Sequence, residues 1–171
     1  DPNSFCYYGR SARAYFDVGS ANITCILNGS GSTETTGLPA VALKGSNIAA
    51  VNVLSGNNGI APFVNDTATV GTINVAQEGS TPPTLEIGSG TTLTTLNAGA
   101  GTVTQKCAST TSNVSQGATL YTEGSGTIAT INARGTAYPN STGTVTNLNV
   151  YGTVDLTKNK AARTITNCTV Y

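Results

Sequence analysis

Carboxylates are the first residues to consider for chemistry, because a pair of them at short range is what hydrolyses a glycosidic bond. The candidates are Asp17, Glu34, Asp66, Glu78, Glu86, Glu123 and Asp155, and they are scattered along the chain. Glu86 and Glu123 fall on equivalent strands two repeats apart, which separates them by about 10 Å or more. Paired carboxylates in glycosidases lie roughly 5 to 9.5 Å apart. The spacing therefore argues against a glycosidase.

Other catalytic and metal-binding chemistry also lacks its usual residues. The sequence has no histidine, the commonest acid–base group near neutral pH and the commonest metal ligand. Serine and threonine are abundant, but a hydroxyl nucleophile needs a base beside it. No two cysteines form Cys-x-x-Cys, so a zinc site is not expected. The sequence predicts no catalytic residue, no metal and no cofactor.

Length and charge bound the fold and its partners. The chain has 171 residues, about one domain, with Lys+Arg 8 against Asp+Glu 8 and only 9% charged residues. A neutral chain with so few cations lacks the basic surface that nucleic acid or an acidic membrane requires. The sequence contains no run of 18 apolar residues, so no membrane-spanning helix is predicted.

One strand-like phrase recurs along most of the chain. Ile131 aligns with Leu148, 17 residues later, and with Cys168, 20 beyond that. Earlier copies centre on Val51, Ile73, Leu96 and, in a degenerate phrase, Val114. A second column with the same period contains Leu85, Val103, Leu120, Ala137 and Val154. Two columns with one short period predict an all-β, single-stranded parallel β-solenoid (β-helix) with coils of about 17–23 residues.

Strand alternation predicts which side of each phrase faces the core. Side chains alternate with period two, so the column of Ile131 and Leu148 points inward and Cys168 is expected to be a buried thiol. The outward columns are Ala50, Thr72, Thr95, Asn113, Thr130, Asn147 and Asn167, and Asn52, Asn74, Asn97, Ser115, Asn132, Asn149 and Thr169. We call this surface the Thr-x-Asn face.

Three interpretations of the Thr-x-Asn face remain open from sequence. Its side chains hydrogen-bond to one another along the stack, or the face packs against sister subunits, or it orders a ligand such as sugar or ice.

Residues 1–45 do not share the repeat, and the solenoid is predicted to begin at residue 46 and continue to 171. A solenoid needs an end cap, while aromatic and arginine residues are enriched at interfaces, so the segment is expected to be a cap, an attachment segment or both. The candidate interface residues are Phe5, Tyr7, Tyr8, Arg10, Arg13, Tyr15 and Phe16. Because the chain opens on Asp1 and its last phrase ends within a repeat, we expect a processed product or part of a longer chain.

The four cysteines give two further expectations. Cys6 and Cys25 are spaced as on two strands of a small hairpin, where a disulfide could link them. Cys107 lies over three coils from Cys168, roughly 15 Å along the stack, so these two should not pair within one chain. Pairing between chains remains open.

The phrases Thr-Val-Thr-Asn-Leu-Asn-Val-Tyr-Gly-Thr-Val-Asp-Leu (144–156) and Ala-Arg-Thr-Ile-Thr-Asn (162–167) resemble the β-solenoid repeats of tailed-phage virion proteins. The resemblance covers residues 46–171. It implies a non-enzymatic structural protein, trimeric or otherwise oligomeric, that decorates a capsid or forms a fibre. Its partners would be further copies and other virion proteins such as a capsid shell or tail, and its location the virion surface or the extracellular space.

Two alternatives stay beside this expectation. A glycan-binding adhesin would use exposed aromatic rings near Tyr121, Tyr138 and Tyr151. An ice-binding solenoid would use the Thr-x-Asn face, and it ranks last because Ala50 and the asparagines break the threonine row.

Overall fold

The structure is a computed structural model that describes the backbone of residues 5–6 and residues 14–29, 39–159 and 161–171 in full. Every regular element in these ranges is a β-strand, which confirms the all-β solenoid. Seven repeat phrases pair in chain order, separated by about six turns of about 20 residues each. No helix in the described ranges is long and apolar enough to cross a membrane.

Two stacks of parallel strands form the walls of the solenoid. The first stack contains β2 (Ala14–Asp17), β6 (Thr84–Ile87), β8 (Thr102–Gln105), β10 (Thr119–Thr122), β12 (Thr136–Pro139) and β14 (Thr153–Val154), and the short β1 (Phe5–Cys6) lies antiparallel to β2. The second contains β3 (Ile23–Gly29), β5 (Ala68–Val75), β7 (Thr91–Ala98), β9 (Ala108–Val114), β11 (Ile128–Ala133), β13 (Thr144–Val150) and β15 (Thr164–Val170). The long β4 (Val41–Ile60) joins them, because its ends pair with β2 and β6 and its middle with β3 and β5.

Both predicted columns exist and face the core. In the first stack Leu85, Val103, Leu120, Ala137 and Val154 are register neighbours on successive strands. In the second stack Val51, Ile73 and Leu96 lie one above another, as do Ile131, Leu148 and Cys168. These side chains are buried except at the last coil, so the inward facing predicted from alternation is confirmed.

The degenerate phrase occupies a different register from the predicted one. Leu96 lies beside Ser112, and Val114 lies beside Ala98, so the prediction that Val114 continues the Leu96 column is wrong by two residues. A two-residue shift leaves the inward and outward sets unchanged, because alternation has period two. The prediction failed because Ser112 occupies a position that the other coils fill with valine, leucine, isoleucine or cysteine.

Cys168 is in the predicted column but is exposed, so the prediction of a buried thiol is wrong. Among the described strands, β15 is the last of its stack and pairs only with β13. An inward-facing side chain is buried only when its strand has a neighbouring coil on both sides.

The solenoid begins earlier than residue 46. β2 and β3 both pair in parallel with β4, so residues 14–29 form a coil of their own rather than a non-repeat segment. The repeat period does not reveal this coil, because residues 30–38 lengthen the interval between it and the next coil. β1 covers the outer edge of β2, as an end cap would.

The predicted Cys6–Cys25 hairpin is also replaced by other pairings. The strand of Cys6 pairs with β2, whereas that of Cys25 pairs with β4. Cys25 carries a free thiol in the structure, and the side chain of Cys6 lies outside the described residues, so the disulfide itself stays a prediction.

Glycine recurs at the corners because coils approach closely there. A Cβ on Gly143 would collide with the backbone of Gly126 one coil earlier, and one on Gly126 with the backbone of Cys107. Only glycine is tolerated at a position where two backbones approach this closely.

The facing of β11 predicts a sharp difference between two neighbouring substitutions. Ile131→Asp places an unpaired carboxylate among buried side chains and should lower the free energy of unfolding by about 4 kcal/mol or more. Asn132→Asp, on the outer face, should cost about 1 kcal/mol through one lost hydrogen bond. Thermal melts followed by circular dichroism measure both, and equal damage would contradict the assigned facing.

Candidate functional site

A ladder of asparagine amides runs along the outer face of the second stack. Asn74 Nδ2 donates to Asn52 Oδ1 at 2.9 Å, and the same bond repeats on the next four coils. The later links are Asn97 to Asn74 (2.9 Å), Asn113 to Asn97 (2.9 Å), Asn132 to Asn113 (2.8 Å) and Asn149 to Asn132 (2.8 Å). All donors point toward the preceding coil. The interpretation that these side chains bond to one another is therefore confirmed for asparagine.

The ladder corrects one position of the predicted face. The sequence pattern predicts Asn113 in the threonine column and Ser115 in the asparagine column. The register of β9 instead places Asn113 between Asn97 and Asn132. Thr111 takes the vacated place in the threonine column.

The threonine column of the Thr-x-Asn face is more regular than predicted. Thr72, Thr95, Thr111 and Thr130 are consecutive register neighbours on β5, β7, β9 and β11. Their hydroxyls make no hydrogen bond with the described part of the chain. The column then ends in Asn147 and Asn167, whose amides are linked at 3.0 Å. The face thus combines a self-bonded amide row with a row of four hydroxyls available to solvent or a partner.

Sequence reasoning missed a second threonine row on the opposite wall. Thr84, Thr102, Thr119, Thr136 and Thr153 are register neighbours on the outer side of the first stack. Each directly precedes a member of the inward column that the sequence did identify. The second threonine row could be predicted from that inward column, because in a strand the residue before an inward side chain points outward.

The tyrosines of the later coils stack in pairs. The rings of Tyr121 and Tyr138 lie 4.6 Å apart and nearly parallel, and Lys158 Nζ lies 4.4 Å from the centre of the Tyr138 ring. Tyr151 and Tyr171 are 4.3 Å apart, and the guanidinium of Arg134 lies 4.6 Å from the Tyr151 ring. Stacking covers one face of each of these rings, which leaves less ring surface for a sugar. Tyr171 is 71% exposed, and its hydrogen bond and proximity to Tyr151 raise its pKa.

Three of the described carboxylates make structural contacts. Glu86 pairs with Lys106 at 2.6 Å and Asp17 with Lys44 at 3.3 Å, each across adjacent coils. Asp155 accepts hydrogen bonds from the backbone and hydroxyl of Thr157, which lower its pKa. Within the described ranges, no three His, Cys, Asp or Glu residues are grouped as metal ligands would be.

The structure describes two of the predicted interface residues of the first segment in full. Tyr15 is buried, 7% exposed, with its ring 5.7 Å from that of Phe63, and Phe16 packs against the core. These two side chains therefore contribute to the packing of the first coil, and an interface role for the segment stays a prediction. The side chains of Phe5, Tyr7, Tyr8, Arg10 and Arg13 lie outside the described residues.

Comparison of the chain with protein-family models, with curated proteins and with solved structures finds no match in any of the three. The surfaces above therefore carry the functional argument.

The cysteines should differ strongly in reactivity. Burial raises the pKa of Cys107 to about 12, so almost no thiolate exists at pH 8, whereas Cys168 is exposed. We expect an aromatic disulfide reagent to label Cys168 in the native protein at pH 8 and Cys107 only after unfolding in guanidinium. Mass spectrometry of the peptides assigns each label. Cys168→Ser is the control, and native labelling of Cys107 at the rate of Cys168 would contradict the assigned burial.

Proposed function

We propose that this protein is a non-enzymatic structural component that works as a rigid β-solenoid within a larger assembly. The asparagine ladder carries the proposal. Six amides from Asn52 to Asn149 bond chiefly to one another across successive coils, so this row stiffens the wall instead of presenting mobile polar groups. Continuous side-chain ladders of this kind are typical of stacked β-structures selected for rigidity.

The assembly we propose is a homo-oligomer, with a trimer favoured, in which the Thr-x-Asn faces of sister subunits pack together. The face carries no charged residue in its two columns, from Asn52 to Thr169, so bringing copies together desolvates no ion. The four threonine hydroxyls supply donors and acceptors to a neighbouring copy.

The resemblance of residues 144–156 and 162–167 to tailed-phage solenoid repeats makes a virion surface the proposed location, as capsid decoration or part of a fibre. Other virion proteins, in a shell or tail, would then be its partners. An extracellular assembly of this kind favours a rigid rod with a neutral, hydroxyl-rich surface.

Native mass spectrometry and light scattering test the oligomer. We expect a homo-oligomer at micromolar concentration, and Thr95→Lys with Thr111→Lys should reduce it to monomers, because adjacent like charges repel across the interface. The matched control is Thr102→Lys with Thr119→Lys, which places the same charge pair on the opposite wall and should leave the oligomer intact. A parent protein that is strictly monomeric and does not associate with capsids would overturn the proposal.

The register of β9 supports a second candidate, an ice-binding surface. The sequence suggested that the threonine row was broken at Asn113, but Thr72, Thr95, Thr111 and Thr130 follow one another without interruption. Rigid, evenly spaced hydroxyls hold neighbouring waters in a fixed array.

Measurement of thermal hysteresis and of ice-crystal shape tests this candidate. If the face binds ice, the parent and the Thr102→Lys, Thr119→Lys control should both lower the freezing point below the melting point. Thr95→Lys with Thr111→Lys should lose that gap. Coincident freezing and melting points for the parent would remove ice binding and leave the structural proposal standing.

A further inference from the structure

A closed polar cluster lies inside the solenoid where β8 meets β9. Gln105, Ser109 and Ser112 all point inward, and the first and last are 0% exposed. Gln105 Nε2 donates to Ser109 Oγ at 2.9 Å and to the carbonyl of Cys107 at 3.1 Å. Ser112 Oγ donates to Gln105 Oε1 at 2.8 Å and lies 3.0 Å from Ser109 Oγ. The hydrogen bonds close a ring among the three side chains, which we call the Gln105 cluster.

The Gln105 cluster replaces an apolar layer. The three positions are filled by Ile87, Leu93 and Leu96 on the preceding coil. The buried apolar side chains form three clusters: one contains those three residues, one begins at Ile128, and a small one contains Tyr15 and Ala42. Polar groups so deeply buried are tolerated only when all are bonded, and such networks can specify one arrangement among several.

Two registers of β9 compete, and they differ by two residues. In the observed one Ser112 lies beside Leu96 and Val114 beside Ala98; in the other Val114 would lie beside Leu96 and Gln116 beside Ala98. The alternative makes the coils more even, at 18 (114 − 96) and 17 (131 − 114) residues, against the observed 16 and 19. Even spacing and the contact of Val114 with Leu96 favour this alternative, whereas a glutamine beside the buried Ala98 disfavours it.

Polar pairing favours the observed register. A slip by two residues moves Ser109 and Ser112 away from the amide of Gln105 and leaves that amide buried without its side-chain partners. It also removes Asn113 from the amide ladder and puts Ser115 in its place, which breaks the links to Asn97 and Asn132. A buried amide without partners is a heavy cost.

We propose that the Gln105 cluster is a register-selecting device, which holds β9 against a two-residue slip that would even out the coil lengths and bring Val114 beside Leu96. Gln105 at the end of β8 reaches over the two-residue corner of Lys106 and Cys107 and fixes the start of β9. The asparagine ladder supports the same choice on the outer face. This inference is independent of the proposed assembly.

Cysteine cross-linking reports the register directly. In a chain with Cys6, Cys25 and Cys168 replaced by serine, Thr95→Cys is combined with either Thr111→Cys or Asn113→Cys and oxidised with copper–phenanthroline. Direct neighbours on adjacent strands lie about 4.8 Å apart, and residues offset by two lie roughly 8 Å apart, whereas a disulfide requires Cα atoms within about 7 Å. The first pair should therefore cross-link in the observed register and the second should not.

The decisive variant is Gln105→Leu with Ser115→Asn, which removes the cluster and offers the ladder an amide in the slipped register. We expect cross-linking of the Thr95→Cys, Thr111→Cys pair to fall at least five-fold and that of the Thr95→Cys, Asn113→Cys pair to become dominant. Cross-linking of the first pair as efficient as in the parent would overturn the proposal.

Ser115→Asn alone provides the matched control and a second, independent test. Combined with Thr95→Cys and Asn113→Cys, it gives the outer face every reason to slip while the Gln105 cluster stays intact. We expect no cross-link in this protein, whose fold should survive because only surface residues change. A strong cross-link here would show that the cluster does not select the register, even if the Gln105→Leu protein fails to fold.

Discussion

The parallel, in-register pairing of each coil with the next is the constraint on which the whole structure depends. Because the strands of one coil lie about 4.8 Å from those of the next, a residue meets its own counterpart one repeat away. Side chains of the same type therefore stack on one another along the solenoid. Leucine and isoleucine build the apolar column through Ile131 and Leu148, and asparagine builds the amide ladder on the outside of the same strands. A single repeat pattern thus produces both the core and the surface.

The same pairing explains why the surface is rich in polar groups but rigid. Each ladder amide uses one donor and one acceptor on its neighbours, so the row behaves as an extension of the backbone ladder. The tyrosine pairs follow this logic at the later coils, where Tyr121 stacks on Tyr138 and Tyr151 on Tyr171. On the Thr-x-Asn face, the groups left for a partner are chiefly the four threonine hydroxyls, and both proposed uses of this face, packing and water ordering, follow from them.

A solenoid whose coils resemble one another faces a problem of its own, because neighbouring registers differ little in energy. Each coil contacts only the coils beside it, so no contact with a distant part of the chain favours the correct register over a slipped one. The buried Gln105 cluster gives this chain one layer where only one register satisfies every polar group. The apolar cluster that contains Leu96 continues through this coil to Leu120, and the cluster that contains Ile131 follows it.

The winding, the period and the facing of the strands can be predicted from the amino-acid sequence. These follow from alternation and from the spacing of residues such as Leu120 and Ala137, which are local properties of the chain. It also contained most of the Thr-x-Asn face, from Thr72 to Asn149. Only the tertiary structure decided the register of β9, since alternation is blind to a shift of two residues. The exposure of Cys168 and the membership of residues 14–29 in the solenoid were likewise decided by what lies on adjacent coils, and no local pattern records that.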